Sequence, residues 1–257
     1  MKKFFKNKIK CSICNSKKLL KVIDLKKFPI TGIYIKKKIK KNFPYYIDQN
    51  LKLCKKCGHL QLGKFVYPEL LYNNLYLNRT SENHLSTNGI NFFKKFLYEV
   101  TKKKTFDNLL EIGCSDIKLI ESLKNNFNHL YGIDPIWISK TKPKDKKFTI
   151  IGDFVEKVDF KKEIGNKIDI FISAHNLEHI ENPLETLKMI LKTADNKTTF
   201  FIEVPDADIM IKNLRYDQIF HQHYHYFNFN SLNNLIISLG CKIIKKKLTL
   251  IFGVVQF

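Results

Sequence analysis

The stretch Phe-Asp-Asn-Leu-Leu-Glu-Ile-Gly-Cys-Ser-Asp-Ile, residues 106–117, decides the fold of this chain. Its first seven residues are mostly apolar and predict a buried β-strand, and Gly113 predicts a tight turn directly after it. A helix with one apolar face is predicted at 117–124, and a second strand at 129–133 ends at Asp134. A strand, a helix and a strand in this order predict two parallel strands joined by a crossover helix.

The same alternation continues along the rest of the chain. Strands are predicted at 148–151, 168–173, 198–204, 242–249 and 254–257, and helices from Pro183 and at 232–239. This order predicts an α/β fold, a Rossmann-like parallel sheet with helices on both faces and a final antiparallel pair. In such a sheet the ligand binds beyond the carboxyl ends of the strands, so the polar residues at those ends are expected to share one cleft.

The turn after the first strand also indicates which cofactor binds there. Glu111-Ile-Gly113-Cys-Ser115 lacks the G-x-G-x-x-G pattern, which disfavours NAD. An acidic residue two positions before the glycine is typical of S-adenosylmethionine (SAM) binders. Asp134 is then expected to hold the ribose hydroxyls and Asp153 the adenine amino group, although acids also end strands without any ligand. The predicted cofactor-binding residues are Glu111, Gly113, Ser115, Asp134, Asp153 and His175.

Four of the six cysteines form two pairs, Cys11-x-x-Cys14 and Cys54-x-x-Cys57. Two C-x-x-C pairs can supply the four thiolates of a tetrahedral zinc ion, and a site filled by four protein ligands is structural. Redox-active pairs and disulfides are the alternatives, and a disulfide would need an oxidising compartment. A structural Zn²⁺ site is therefore predicted.

The composition is that of a folded protein. The chain has 257 residues, of which 44% are hydrophobic, and this excludes a disordered chain. Neither an apolar run of eighteen residues nor a signal peptide is visible, so no membrane insertion and a cytoplasmic location are expected.

The net charge of +21 first suggests a nucleic-acid partner, but only two of the 45 basic residues are arginines. Because arginine is favoured for reading phosphate and guanine, a solvated lysine coat is preferred over a nucleic-acid surface. Such a coat would still attract small acidic metabolites. A small anionic acceptor is therefore expected, and nucleic acid is not.

Motifs spread over nearly the whole chain resemble those of one enzyme family. They are Cys11-x-x-Cys14, Asp24-Leu25, Pro29, Cys54-x-x-Cys57-Gly58-x-x-Gln61-Leu62, Leu75-Tyr76, Thr80-Ser81, Glu111-Ile-Gly113-Cys114, Gly-Ile-Asp-Pro at 132–135, Asn176-Leu-Glu178-His179-Ile180 and His221-Gln222-His223-Tyr224-His225-Tyr226-Phe227. With them the chain resembles the sugar C-methyltransferases that carry an N-terminal zinc-binding domain. The resemblance implies a class I SAM-dependent methyltransferase, in a short form without the second Rossmann-like domain. It also implies a sugar nucleotide, or another precursor of a capsule or surface polysaccharide, as substrate.

The chain departs from the family at positions that matter for catalysis. Ile117 stands where the family has glycine, which is expected to narrow the cofactor loop. Phe220 and Gln222 replace a tyrosine and a glutamate that the family uses to remove a proton from a sugar carbon. O-methylation, which needs only one base, is therefore preferred. C-methylation with His223 as base and a catalytically weak binding paralogue are the alternatives, and a zinc-ribbon nucleic-acid binder is a third.

The predicted catalytic residues are His223, His179, His221 and Tyr76. Histidine suits proton transfer because its ordinary pKa lies near neutral pH. If residues 221–225 are extended, their three histidines face one way, which would also suit a metal. The predicted organisation is a zinc-binding subdomain at 1–65, a helical connector at 66–104 that contributes to the substrate site, and a SAM-binding methyltransferase domain at 105–257.

Overall fold

A computed structural model describes residues 4–31, 44–72, 84–102, 105–165, 167–249 and 254–256. The N-terminal elements are β1 (Phe5–Asn7), β2 (Leu19–Leu25), β3 (Gln49–Cys54), β4 (Leu60–Leu62), β5 (Lys64–Val66), α1 (Pro68–Leu71) and α2 (His84–Thr101). The following elements are β6 (Phe106–Ile112), α3 (Lys118–Ser122), β7 (Phe127–Ile133), β8 (Phe148–Ile151), α4 (Phe160–Glu163), β9 (Ile170–Ala174), α5 (Pro183–Leu191), β10 (Thr199–Pro205), α6 (Ala207–Lys212), β11 (His225–Tyr226), α7 (Phe229–Ser238), β12 (Lys247–Thr249) and β13 (Val254–Gln256).

The main sheet has seven strands in the order β12-β13-β10-β9-β6-β7-β8. The five strands from β10 to β8 are parallel. Strand β13 pairs antiparallel with β10, and β12 and β13 form the antiparallel pair that the sequence predicts. The last strand pair is shorter than predicted, because β12 begins only at Lys247. This α/β architecture confirms the predicted fold class and brings the carboxyl ends of β6, β7, β8, β9 and β10 to one edge.

Side chains alternate across the sheet and build a core on each face. On β6, Leu110 packs with the helices α5 and α7, whereas Leu109 packs with α2 and α3. Cys11 and Cys54 belong to the same core as Leu110, so the four-cysteine segment rests on the main sheet.

A second, four-stranded antiparallel sheet has the order β11-β4-β3-β2. Strand β11 comes from the C-terminal half of the chain and pairs His225 with Gln61 and Tyr226 with Leu60. The N-terminal sheet is therefore completed by residues far away in the sequence, and its apolar side packs on α6 through Met210.

Candidate active site

A cavity of about 470 Å³ lies at the carboxyl ends of the parallel strands, as the fold predicts. The residues that follow β6, β7 and β9 line it, together with residues from α1 and α2. Of the predicted cofactor-binding and catalytic residues, the lining includes Glu111, Gly113, Ser115, Asp134, His175 and His179. The cavity therefore brings together the turns that the sequence singles out.

Gly113 is required by both its backbone and its surroundings. Its φ is +71°, a conformation that side chains disfavour. A Cβ at this position would lie 2.3 Å from Asn176 Nδ2 and 2.4 Å from Asn176 Cγ. The turn after β6 therefore lies against the turn after β9, and only glycine fits between them.

Asp134 connects the first two turns. Its Oδ2 accepts a hydrogen bond from the Ser115 backbone amide at 2.9 Å, and its Oδ1 accepts one from the Ile136 amide at 2.9 Å. The Trp137 indole donates to the Ser115 carbonyl at 2.6 Å. Asp134 also lines the cavity, where a carboxylate is a suitable acceptor for ligand hydroxyls.

Glu111 gives the cavity a feature suited to a cationic ligand. The side chain is 3% exposed, and its Oε2 has no hydrogen-bond partner in the part of the chain that the structure describes. Burial, with the nearby charge of Asp134, raises the pKa of Glu111 well above its usual range. SAM carries a sulfonium and an ammonium group. Either positive charge would stabilise the ionised form of this buried carboxyl, so the residues present fit SAM.

Three residues of the cavity turns have positive φ without being glycine: Ser115 at +46°, Ile117 at +60° and His175 at +50°. Such angles are costly, above all for a β-branched residue like Ile117. The Ile117 side chain packs against the core that contains Leu119, and residue 117 is not among those that line the cavity. Ile117 therefore affects the cofactor loop through backbone strain, because its side chain packs into the core and is not part of the cavity lining.

Asp153 is one of the predicted site residues that are not seen in the cavity lining. Asp153 uses its Oδ1 to accept from the Phe154 amide at 2.7 Å, and Phe154 and Val155 form the cavity wall after β8. Tyr76 lies outside the described residues.

A cluster of charged groups lies at the carboxyl ends of β9 and β10. The His175 imidazole is 3.8 Å from Glu178 Oε1 and 3.8 Å from Glu203 Oε1. Partial burial lowers the pKa of His175, but Glu178 and Glu203 outweigh it and raise the pKa to about 9. Burial likewise raises the pKa of Glu178, but the interaction with His175 outweighs it and lowers the pKa to about 2. At neutral pH the His175 imidazolium therefore lies beside the Glu178 carboxylate.

Two hydrogen-bonding contacts of Nδ1 fix the orientation of the His179 ring. Its Nδ1 lies 2.8 Å from the Gln222 carbonyl oxygen and 3.0 Å from the Tyr72 hydroxyl. Because a carbonyl can only accept, Nδ1 carries the proton and Nε2 keeps its lone pair. Tyr72 also lines the cavity, although no pattern in the sequence singles it out.

The three histidines at 221, 223 and 225 do not face one way, which corrects the sequence expectation. Residues 220–223 form a turn, with the His223 amide donating to the Phe220 carbonyl at 3.1 Å, so the stretch is not extended there. His221 contacts the Ile47 carbonyl at 3.1 Å, away from the cavity lining. His225 Nε2 instead lies 2.9 Å from the Ile180 carbonyl.

The His223 ring lies beside the rings of His179 and Phe220. Its ring is 4.8 Å from that of His179 and 3.9 Å from that of Phe220, measured between centroids. It is 8% exposed, and burial lowers its pKa to about 3. His223 is therefore neutral at physiological pH and a weak base.

Gln222, which replaces the glutamate expected from the resemblance, has a structural role. Its Oε1 accepts from the Thr31 hydroxyl at 3.1 Å and its Nε2 donates to the Thr31 carbonyl at 2.5 Å. The side chain thus joins the turn at 220–223 to the N-terminal segment, and it leaves no carboxylate for proton transfer at this position.

The four paired cysteines converge as predicted. The Cys11 and Cys57 sulfurs are 3.6 Å apart, the Cys14 and Cys54 sulfurs are 3.5 Å apart, and all four lie within 4.8 Å of one another. A tetrahedral zinc ion with Zn–S bonds of about 2.3 Å has sulfur–sulfur edges of about 3.8 Å. These spacings fit the thiolates of a zinc site and are too long for disulfides.

Comparison with known proteins now assigns the chain. A family model described as "Methyltransferase domain" matches residues 87–246, and a second one, described as "Putative zinc binding domain", matches residues 11–72. The chain belongs to the methyltransferase-domain family. It therefore contains the methyltransferase domain and the four-cysteine zinc-binding region that the sequence predicts.

A curated protein and several solved structures are similar to this chain. The chain is 21% identical to the C-methyltransferase NovU of Streptomyces niveus over 244 residues, which cover 91% of this chain and 56% of NovU. It therefore spans just over half the length of that relative. A SAM-dependent methyltransferase of Leishmania major matches with a TM-score of 0.54 and 11% identity, covering 67% of this chain and 72% of the other. The plantazolicin methyltransferase BamL, solved with S-adenosylhomocysteine and a triazolic desmethyl analogue, matches with a TM-score of 0.50 and 18% identity, covering 62% and 64%. These likenesses show the fold.

Among the residues that the structure describes, none of the helices has the length and apolar character needed to cross a bilayer.

The charged groups of the cavity lining are mostly acidic. The lining includes one lysine, Lys118, and five carboxyl groups, Glu111, Asp116, Asp134, Glu156 and Glu203. This lining suits a cationic cofactor better than it suits an anion.

Proposed function

We propose that the protein transfers the methyl group of SAM to an oxygen atom of a small acceptor, with His179 accepting the proton of the acceptor hydroxyl. The observation that carries this proposal is the position of His179. Of the three predicted catalytic histidines it is the one that lines the cavity, and its Nε2 keeps a lone pair. The chain aligns the acceptor with the methyl group, and a base within reach removes one proton.

The acceptor that we propose is a sugar nucleotide or another precursor of a capsule or surface polysaccharide, in a cytoplasmic setting. The resemblance to sugar methyltransferases supports this class. Because carboxyl groups dominate the cavity lining, the anionic part of such an acceptor would stay outside. The net charge of +21 favours its approach over the lysine-rich surface. Only the neutral sugar hydroxyl would then enter the cavity.

C-methylation is the second candidate, because the curated relative NovU is named a C-methyltransferase. In this chain it would depend on His223, since Phe220 and Gln222 offer neither a phenol nor a carboxylate. The low pKa of His223 and its position under the Phe220 ring weigh against proton removal from carbon.

The test is an acceptor screen with SAM, in which the methylated atom of the product is located by tandem mass spectrometry and NMR. We expect a methyl ether. His179→Ala should abolish turnover while cofactor binding stays normal, and His129→Ala, on the far part of the sheet, should remain active. A new carbon–carbon bond would replace the proposal with C-methylation, and full activity of His179→Ala would refute the role of His179.

A further inference from the structure

A second group of metal-ligand side chains lies apart from the four cysteines. One carboxylate oxygen of Glu178, one ring nitrogen of His179 and one of His223 all lie within 4.8 Å of one another. Glu178 is 1% exposed, and its Oε2 has no hydrogen-bond donor among the described residues. A buried carboxylate oxygen without a donor is costly, so a group from outside the chain is needed to satisfy it.

The hydrogen bonds of His179 direct its lone pair at this carboxylate. Nδ1 lies 2.8 Å from the Gln222 carbonyl oxygen and must be the protonated nitrogen. The unprotonated Nε2 lies 3.9 Å from Glu178 Oε1. Two hydrogen-bond acceptors thus face each other, an arrangement that becomes favourable when a cation lies between them.

His223, like His179, has one ring nitrogen bonded to a backbone carbonyl and the other available for a metal ion. One of its ring nitrogens hydrogen-bonds with the backbone carbonyl of Gln218, which leaves the other nitrogen without a proton in the neutral ring. Its ring meets that of His179 edge to face, with centroids 4.8 Å apart. Histidines that bind metal commonly donate their outer N–H to a backbone carbonyl in this way.

The neighbouring His175 leaves one oxygen of Glu178 for a cation. His175 lies 3.8 Å from Oε1 of Glu178, whereas Oε2 has no hydrogen-bond partner among the described residues and remains for a further positive group. Two imidazoles and one carboxylate form a ligand set for first-row divalent ions.

We propose that Glu178, His179 and His223 bind a divalent transition-metal ion, at a site separate from the four cysteines. Bond lengths of about 2.0–2.2 Å would draw the three ligand atoms somewhat closer together than they stand now. Since His179 also lines the cavity, the remaining positions of the ion would be open towards it. The ion and a substrate proton would compete for the same lone pair of His179. His179 would therefore act as the base in the proposed function only when the ion is not bound.

Metal content tests this site without any acceptor or SAM, so its outcome is independent of the proposed function. The full chain is incubated with Zn²⁺ or Co²⁺, desalted, and analysed by mass spectrometry of the metals. We expect two equivalents per wild-type chain, one of them at the cysteines. Glu178→Gln, which keeps the size of the side chain, and His223→Ala should each lose one equivalent. His129→Ala should keep both.

Cobalt spectra separate the two sites. Thiolate-to-cobalt charge transfer reports the cysteines, whereas a nitrogen–oxygen site adds only d–d bands. Loss of those bands alone in Glu178→Gln supports the proposal. A wild-type chain that takes up a single equivalent of either ion, or variants that keep two, would overturn it.

Discussion

Replacement of Gly113 by alanine tests the cofactor turn through two separable costs. The backbone at φ +71° disfavours any side chain, by about 1–2 kcal/mol. In addition the new methyl group would lie 2.3–2.6 Å from three atoms of Asn176, and overpacking of this kind costs about 1–3 kcal/mol. We expect Gly113→Ala to lower the free energy of unfolding by about 2–5 kcal/mol in total.

Gly240→Ala is the matched control. Gly240 has nearly the same φ, +73°, but a Cβ there would meet no atom within 4 Å. It should therefore show only the backbone cost of about 1–2 kcal/mol, and the effect of alanine on the unfolded chain cancels between the two variants. Urea unfolding measures the stabilities, and calorimetric titration with S-adenosylhomocysteine measures the cofactor site.

The titration should show a loss of affinity of at least about tenfold in Gly113→Ala, because the displaced Asn176 lies in the cavity, and normal affinity in Gly240→Ala. Equal stability of the two variants would show that the contact with Asn176 is absent. Normal cofactor affinity in Gly113→Ala would refute the placement of the cofactor at this turn.

Three other perturbations have expected results. Burial raises the pKa of Glu111, so the affinity for SAM should fall as the pH is lowered through that raised value, and SAM binding should release a proton. Calorimetry in buffers of different ionisation enthalpy detects the released proton. Glu111→Gln should abolish the proton release. The side chain of residue 117 packs into the core, so Ile117→Gly should change cofactor affinity by less than about threefold; a large gain would instead support the weak-paralogue alternative. Cys54→Ser should lose the zinc of the cysteine site together with solubility, and a metal-free, soluble and folded variant in metal analysis would contradict the four-thiolate site.

The sequence predicts the main sheet well because its signals are local. The apolar run of β6, the glycine turn and the acidic strand ends each lie within a few residues, and the parallel fold brings them to one edge. This rule points to Glu111 and Asp134, and it applies equally to Glu203 at the end of β10, which also lines the cavity.

The rest of the site depends on contacts that are distant in sequence. The alternation of histidines at 221, 223 and 225 suggested one shared face, but a turn at 220–223 separates them, and β11 joins a sheet built from residues 19–62. The Gln222 contact with Thr31 spans 191 positions. No periodicity or motif within the turn carries that information, so the partners of His179 and His223 could be seen only in the folded chain.

We expect SAM to bind in the cavity beside Gly113 with Asp134 as a main contact. Calorimetric titration of the purified chain with SAM, with NAD as the control ligand, measures this binding. We expect one SAM site per chain, no heat with NAD, and an affinity at least about tenfold lower in Asp134→Ala. The absence of binding heat with SAM, or unchanged affinity in Asp134→Ala, would contradict it.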